Sequence, residues 1–369
     1  MKVLIISIDR GLLGRGQLGD VLERHRKYGD FCDQLDIIIF STGNFGINKI
    51  SDKVIAYPTN SKNKINFYFD ALKIGKDLFK ENKYDLIVTQ EPFLTGLIGY
   101  QLKKEFKSKL LVHFHGDFLG NRNWLKESKL NYLFLLILKF VAPRADAIRV
   151  MSNEQKEKLI KNGISDKKIR VISTPVDLAK FLNHYELVGL KKEKVVLHVG
   201  RDDEVKDYDT LIKAFKIIKQ KNPKVIFWQA GANVKINESM VKNDFYGIEL
   251  KGLVTADNLI SLYYASDVLA LSSTSESFGK VLVEANACGK PVVSTATTGA
   301  KEIIQDGENG FLVPIGDAEK LAEKIIQLLD YPEEARRMGE KGRQIVQERF
   351  GDNLIKIIQF WRDIIENKL

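Results

Sequence analysis

Short apolar runs of strand length recur along the chain, and most are followed by a stretch whose apolar positions repeat at helical spacing. In the first half Lys2–Ile8, Leu35–Phe40, Tyr84–Thr89, Lys109–His115, Ala147–Met151 and Ile169–Ile172 read as strands, with helices around Asp20–Tyr28 and over Phe93–Phe106. The pattern restarts with strands over Val195–Val199, Val225–Ala230, Ile248–Lys251, Asp267–Leu271 and Pro291–Ala296. Helices are predicted between and after them, over Tyr208–Gln220, Phe278–Cys288, Ala318–Leu329, Glu333–Glu348 and Asp352–Asn367. In the Phe278–Cys288 segment Val281, Ala285 and Cys288 share a face, and Gly289 with Pro291 ends the helix. Near-continuous apolar strands alternating with helices predict parallel sheets in an α/β protein. No internal repeat interrupts the alternation. One polar, aperiodic stretch does, Asn183–Lys194, which reads as a linker.

One segment is open to two readings. Leu130–Val141 is almost wholly apolar, broken only by Asn131 and Lys139, and Arg122, Lys126 and Lys129 precede it with Trp124 among them. It is a core helix with a solvated basic edge, burying Leu133, Leu136, Ile137 and Phe140, or a segment that lies in a membrane interface. It is too short to span a bilayer. The run Val3–Ile8 is likewise too short for a secretory leader, with Asp9-Arg10 directly after it.

At 369 residues the chain is long for one core and suits two. Its two cysteines, Cys32 and Cys288, have no metal-ligand spacing and imply no disulfide framework, which fits a reducing cytoplasm. Charge is uneven. Residues 1–185 carry 31 Lys and Arg against 20 Asp and Glu, a net of +11, and the remainder carries 26 against 28, a net of −2. The excess marks either an acidic partner for the first half, such as a membrane surface, or lysine-rich solvated faces. A pI near 9.2 without a recognition motif does not make a nucleic-acid binder.

Four places carry candidate chemistry. The loop after the first strand holds Gly11, Gly14, Gly16 and Gly19. Gly14-x-Gly16-x-x-Gly19 matches a dinucleotide fingerprint literally, but Gly14 stands well beyond Ile8, and the second strand ends in Ser41-Thr42 rather than an acidic residue. The loop instead lets backbone N–H groups approach a phosphate or sugar. His115 closes a strand ahead of Gly116-Asp117. Gly200-Arg201 ends a strand and Lys206 stands at the entrance of the next helix, so that two cations can face one diphosphate. Glu276 and Glu284 bracket a turn and the helix after it. On the glutamates alone, two solvated helix carboxylates would be the simpler account.

The surroundings change that. Glu276-Ser277-Phe278-Gly279 with Glu284, Ala285-Asn286-Ala287-Cys288-Gly289-Lys290-Pro291 and Gly299-Ala300…Glu302-Ile303 resembles the E-x7-E region of the retaining glycosyltransferases of family 4. Gly200-Arg201…Lys206 resembles the family's G-R-x4-K-G element, with Asp207 in place of the glycine and Asp202, Asp203 and Glu204 alongside. Gly252-Leu253-Val254 with Leu262-Tyr263 resembles the segment whose backbone reads the nucleotide base. Thr174-Pro175-Val176-Asp177 stands where the family usually has a glycine-bearing turn.

The resemblance implies the GT-B fold: two Rossmann-like α/β domains facing each other across a cleft, with a C-terminal helix crossing back to the first. Residues 1–185 would be the acceptor-side domain, 186–350 the nucleotide-sugar domain and 351–369 the returning helix. It implies sugar transfer from a UDP- or GDP-sugar to a glycan, glycolipid or small-molecule acceptor, with retention. The alternatives are a sugar-nucleotide epimerase or hydrolase on the same fold. By family match Arg201 and Lys206 neutralise the leaving diphosphate, Glu276 holds the donor sugar and His115 contacts it. Glu284 accepts from ribose hydroxyls, and Gly14, Gly16, Gly200, Leu253, Val254, Ser277, Phe278, Gly279, Lys280 and Val281 line the donor site. No metal or other cofactor is expected, since the cations already supply counter-charge. The expected partners are the nucleotide-sugar and a glycan or lipid-linked acceptor, in the cytoplasm or at the inner face of its membrane.

Overall fold

The computed structural model describes residues 1–14, 20–182, 193–231 and 247–369. The chain divides into two compact units, Met1–Ser173 with Asn353–Leu369, and Thr174–Asp352. Most of the stretch read as a linker, residues 183–192, lies outside the described residues, as does Gly16.

The first unit is built on an eight-stranded sheet. Its strands are β1 (Lys2–Ser7), β2 (Gln34–Ile39), β3 (Asn48–Ser51), β4 (Val54–Pro58), β5 (Leu86–Thr89), β6 (Lys109–Phe114), β7 (Ala147–Val150) and β8 (Ile169–Val171), in the order β3-β4-β2-β1-β5-β6-β7-β8. All neighbours run parallel except β3 and β4. The parallel strands are buried on both faces, which explains why they read as unbroken apolar runs. Period-two alternation divides them between two cores. Leu4, Ile6, Ile38 and Val112 face the helices Phe67–Glu81, Leu94–Phe106 and Leu130–Val141. Val3, Ile5, Ile37 and Leu111 join Ile357, Ile358, Phe360, Trp361 and Ile364 of the helix Asn353–Ile365. That helix therefore completes the first unit's second core, with the Trp361 ring 5.4 Å from that of Tyr28. Each of its buried side chains contributes about 1.5–3 kcal/mol.

Leu130–Val141 forms a helix, and the core-helix reading fails for part of it. Asn131, Leu138 and Val141 are buried, and Phe134, Leu135 and Ile137 are partly buried against the core. Leu133, Leu136 and Phe140, expected inside, are exposed, as are Leu130 and Tyr132. The helix is apolar around its circumference, and among the described residues the helices Leu94–Phe106 and Arg122–Glu127 cover one side of it.

The second unit carries a six-stranded, fully parallel sheet ordered β11-β10-β9-β12-β13-β14. Its strands are β9 (Val195–Val199), β10 (Ile226–Ala230), β11 (Ile248–Gly252), β12 (Val268–Leu271), β13 (Val292–Thr295) and β14 (Gly310–Val313). The helix after β12 begins at Lys280, not Phe278, because Gly279 adopts a left-handed φ of 83° that no helical residue has. The single apolar face drawn through Val281, Ala285 and Cys288 is also too narrow. Leu282 to Ala287 are all buried, and Val281 is only half-buried.

Candidate active site

In the second unit the segment following β9 is tied down at several points. Gly200 donates its N–H to Ala230 at 2.9 Å. Its carbonyl accepts from Gln229 Nε2 at 2.9 Å and Tyr208 Oη at 3.1 Å. Beyond it Arg201 swings outward, 77% exposed, and pairs with Asp203 at 3.1 Å. Asp203 in turn caps the short 3-10 turn Glu204–Lys206 by accepting from the Val205 N–H. The turn is held against the residues following β12. Ser272 Oγ donates to the Lys206 carbonyl at 2.7 Å, and the Thr274 N–H donates to the Val205 carbonyl at 2.8 Å. The Lys206 ammonium then forms an ion pair with the Glu276 carboxylate, to which Ser273 Oγ also donates at 3.1 Å. Both charged side chains are 16% exposed. Beneath them, burial holds His198 neutral, with its pKa lowered to about 4.

Asp207, the departure from the family's glycine, has a local explanation. Its φ is 46° and its ψ 61°, the left-handed region in which glycine is easiest and Asp is tolerated. Its carboxylate turns into the helix Tyr208–Lys221, accepting from the Thr210 N–H at 3.2 Å and from Thr210 Oγ1 at 2.6 Å. The aspartate serves as an N-cap.

From Glu276 the chain turns closely over the helix Thr298–Ile303. The Glu276 carbonyl accepts from the Gly299 N–H at 2.7 Å. A Cβ on Gly299 would lie 2.5 Å from the Phe278 backbone, so the approach requires glycine there. Phe278 is buried edge-on against Phe350, and Ser277 is half-buried. The N-cap of the helix Lys280–Ala287 that follows is Gly279, which brings no side chain to it. A helix N-terminus in this state is suited to an anion. One turn in, Glu284 is 4% exposed. One of its oxygens accepts from Tyr263 Oη at 2.8 Å and the other faces Lys280 Nζ at 3.4 Å. Leu253, exposed, and Val254, half-buried, follow β11 at the same carboxyl-terminal edge of the sheet.

The structure thus brings Lys206 to Glu276 and Lys280 to Glu284, and sets Arg201 apart with Asp203. Three participants were not singled out for these contacts from sequence. Ser273 braces Glu276, Tyr263 donates to Glu284, and Asp207 caps the helix Tyr208–Lys221. Only Asp207 carried a signal, its place immediately ahead of a helical run. Among the described residues no group of three or more His, Cys, Asp or Glu is placed to hold a metal ion.

In the first unit Gly14 takes a φ of 75° after a 3-10 turn over Arg10–Leu13. His115 follows β6, half-buried, with its ring 5.5 Å from that of His113. Burial foremost, and the neighbouring Arg149, lower its pKa to about 3, so the ring is neutral. Arg149 is itself buried, donating to the Ile172 and Ser173 carbonyls at 2.7 and 2.9 Å.

The chain is similar to known proteins. The profile of the family "Glycosyl transferases group 1" matches residues 184–345, and that of "Glycosyltransferase Family 4" matches residues 34–180. An uncharacterized glycosyltransferase of Methanocaldococcus jannaschii is 32% identical over 281 residues, 76% of this chain and 75% of that one. Among solved structures, sucrose-phosphate synthase from Thermosynechococcus elongatus superposes with a TM-score of 0.85 at 23% identity, covering all of both chains. The Anabaena protein HepE in complex with UDP-glucose superposes with a TM-score of 0.77 at 22% identity, again over all of both. The two structural likenesses show the GT-B fold.

Proposed function

The chain belongs to the group 1 glycosyltransferases of family 4, and we propose that it moves a sugar from a nucleoside diphosphate donor to a hydroxyl acceptor with retention at the anomeric carbon. The observation that carries this reading is the pairing of Lys206 with Glu276 beside the N-terminus of the helix Lys280–Ala287. A cation, a hydroxyl-binding carboxylate and a helix N-terminus in one place suit a sugar diphosphate. The UDP-glucose bound by HepE makes a UDP-sugar the first donor to try.

In the reaction the bond from the anomeric carbon to the diphosphate oxygen breaks with its electron pair on the phosphate. Lys206 and Arg201 neutralise the charge that develops there. Glu276 and the backbone of Phe278 and Gly279 hold sugar hydroxyls, and Glu284 accepts from the ribose, as the region from Ser277 to Val281 encloses the donor. Leu253 and Val254 present backbone to the base, and Gly14 presents backbone to the sugar or phosphate. His115, neutral, hydrogen-bonds the donor sugar. The acceptor oxygen forms its new bond on the face the phosphate leaves, and its proton passes to the departing phosphate. No carboxylate nucleophile is assigned and no metal is required, because lysine and arginine supply the counter-charge. The acceptor is a glycan, a glycolipid or a small hydroxyl compound. Incubation with a panel of UDP-, GDP- and ADP-sugars tests the reading. One donor should be consumed in an acceptor-dependent way to give a product of unchanged anomeric configuration by NMR. Donor turnover to a new nucleotide-sugar, or to free sugar whatever the acceptor, would overturn it.

A further inference from the structure

The helix Leu130–Val141 presents an exposed apolar face among the described residues. Leu130, Tyr132, Leu133, Leu136 and Phe140 are 59, 58, 51, 64 and 40% exposed. Positions 129, 132, 133, 136, 139 and 140 fall at helical spacing on one side, so Lys129 and Lys139 border the apolar stripe. The short helix Arg122–Glu127 leads into it and adds Arg122 and Lys126, both exposed. Arg144 closes the far end, its guanidinium 4.0 Å over the Phe140 ring. From Arg122 to Arg144 there are five basic residues and one acid, Glu127, a net of +4. The helix is tied to its neighbours: Asn131 Nδ2 donates to the Trp124 carbonyl at 2.6 Å, and Phe140 meets Tyr100 edge-on at 5.4 Å.

We propose that this face docks the protein on an anionic phospholipid surface, with Leu133, Leu136 and Phe140 entering the boundary between headgroups and acyl chains. The charge selects the occupant. A second copy of the chain would bring the same net positive rim against itself, whereas a bilayer of anionic lipid offers an apolar interior under a negative surface. Twelve residues lie flat in such an interface, and no helix among the described residues is long and apolar enough to cross it. Tyr132 and the flanking lysines suit the headgroup level, where aromatic rings and long basic side chains settle. Docking places an acceptor in the membrane plane, a consequence that rests on the sugar-transfer reading. The binding itself does not.

Vesicle flotation with the full chain tests the docking without any donor. Vesicles of equal parts phosphatidylcholine and phosphatidylglycerol should carry the protein upward at low salt, and vesicles of phosphatidylcholine alone should not. Reversing Arg122, Lys126 and Lys129 to Glu should lower partitioning by roughly fivefold per residue. Replacing Leu133 and Leu136 by Gln should lower it by about tenfold per residue, with an unchanged melting curve because more than half of each side chain is exposed. Leu136→Cys labelled with an environment-sensitive dye should shift to the blue on anionic vesicles, the native Cys32 and Cys288 being buried. Soluble recovery with both vesicle types overturns the proposal. So does flotation unaffected by the Gln replacements, or a concentration-dependent dimer that those replacements dissolve.

Discussion

Lys206 and Glu276, 70 residues apart in sequence, close an ion pair that joins the turn after β9 to the turn after β12. The lysine assigned to phosphate and the glutamate assigned to sugar thus neutralise each other before a donor arrives. Lys206→Ala should lower turnover by roughly 10²–10³, the scale for one preorganised charge-stabilising donor. Glu276→Ala should also lower turnover, yet leave the affinity for free nucleoside diphosphate unchanged or raised, because Lys206 is released to the phosphates. Calorimetry with the free nucleotide checks this. The two substitutions should be non-additive in turnover, with a coupling of about 0.5–3 kcal/mol. Additive losses would mean that the pair is incidental.

Arg201 separates catalysis from stability. Its ion pair with Asp203 is exposed and contributes little to folding. Arg201→Ala should therefore leave the denaturation midpoint unchanged while lowering turnover by roughly the same 10²–10³. A drop in the midpoint with full activity would give the arginine a structural role only.

At Asp207 two replacements should behave differently. Asp207→Gly loses the cap, which costs a few tenths of a kcal/mol, and relieves the left-handed backbone, so stability should stay about level. Asp207→Ala loses the cap and keeps the strain, and should cost about 1–2 kcal/mol in urea denaturation. Donor affinity in the glycine variant should be unchanged or slightly improved.

Glu284→Ala should weaken nucleotide binding by about 1.5–3 kcal/mol, the scale for a charged hydrogen bond. It also leaves the buried Tyr263 hydroxyl without its carboxylate. Tyr263→Phe removes the hydrogen bond and keeps the charge, so it should weaken nucleotide binding less than Glu284→Ala does. Equal losses would assign the effect to the tyrosine.

Stability should bend with pH in two directions. Burial lowers His25 and His198 to about 4 and His115 to about 3, from an ordinary 6.5. The unfolded chain binds these protons as pH falls through 6.5 and the folded one does not, so stability falls from there towards about 4. Glu91 runs the other way. Burial raises it to about 7 from 4.5, so its folded form holds a proton that the unfolded chain has released, and stability is lost as pH rises between those values. Glu91→Gln should remove that loss, because the amide oxygen can still accept from the Thr95 N–H. Urea midpoints of wild type and variant should converge near pH 4.5 and separate, variant higher, towards neutrality.

Chelation should leave transfer intact. Activity abolished by EDTA and restored by magnesium or manganese would mean that Lys206 and Arg201 do not suffice as counter-charge.

What the sequence made legible follows from the physics of parallel sheets. Strands such as Leu4–Ile6 and Leu269–Leu271 are enclosed on both faces, so apolar runs mark them directly. The edge strand β3 was not read, nor was its neighbour β4. Asn48, Lys49 and Ser51 face one neighbour only and carry no apolar run, and Asp52-Lys53 makes a turn without glycine or proline. The motif residues were legible as types, and their partners were not. Tyr263 reaches Glu284 from 21 residues away through tertiary packing, and nothing local announces it. The exposure of Leu133 and Leu136 was hidden for the opposite reason. A run of leucines looks the same whether neighbouring helices cover one side of it or all of it.

Asn353 Nδ2 donates to Ser173 Oγ at 2.8 Å, joining residues 180 apart where the chain leaves the first unit and where it re-enters. A ribosome makes them in that order, with the whole of Thr174–Asp352 in between. The first unit must therefore wait with the β5 and β6 side of its second core, Val88 and Leu111, incompletely covered while the second is synthesised, until Ile357 and Trp361 emerge. A stop codon after Asp352 would spare every residue of the second unit and take Ile357, Ile358, Phe360, Trp361 and Ile364 out of the first unit's core.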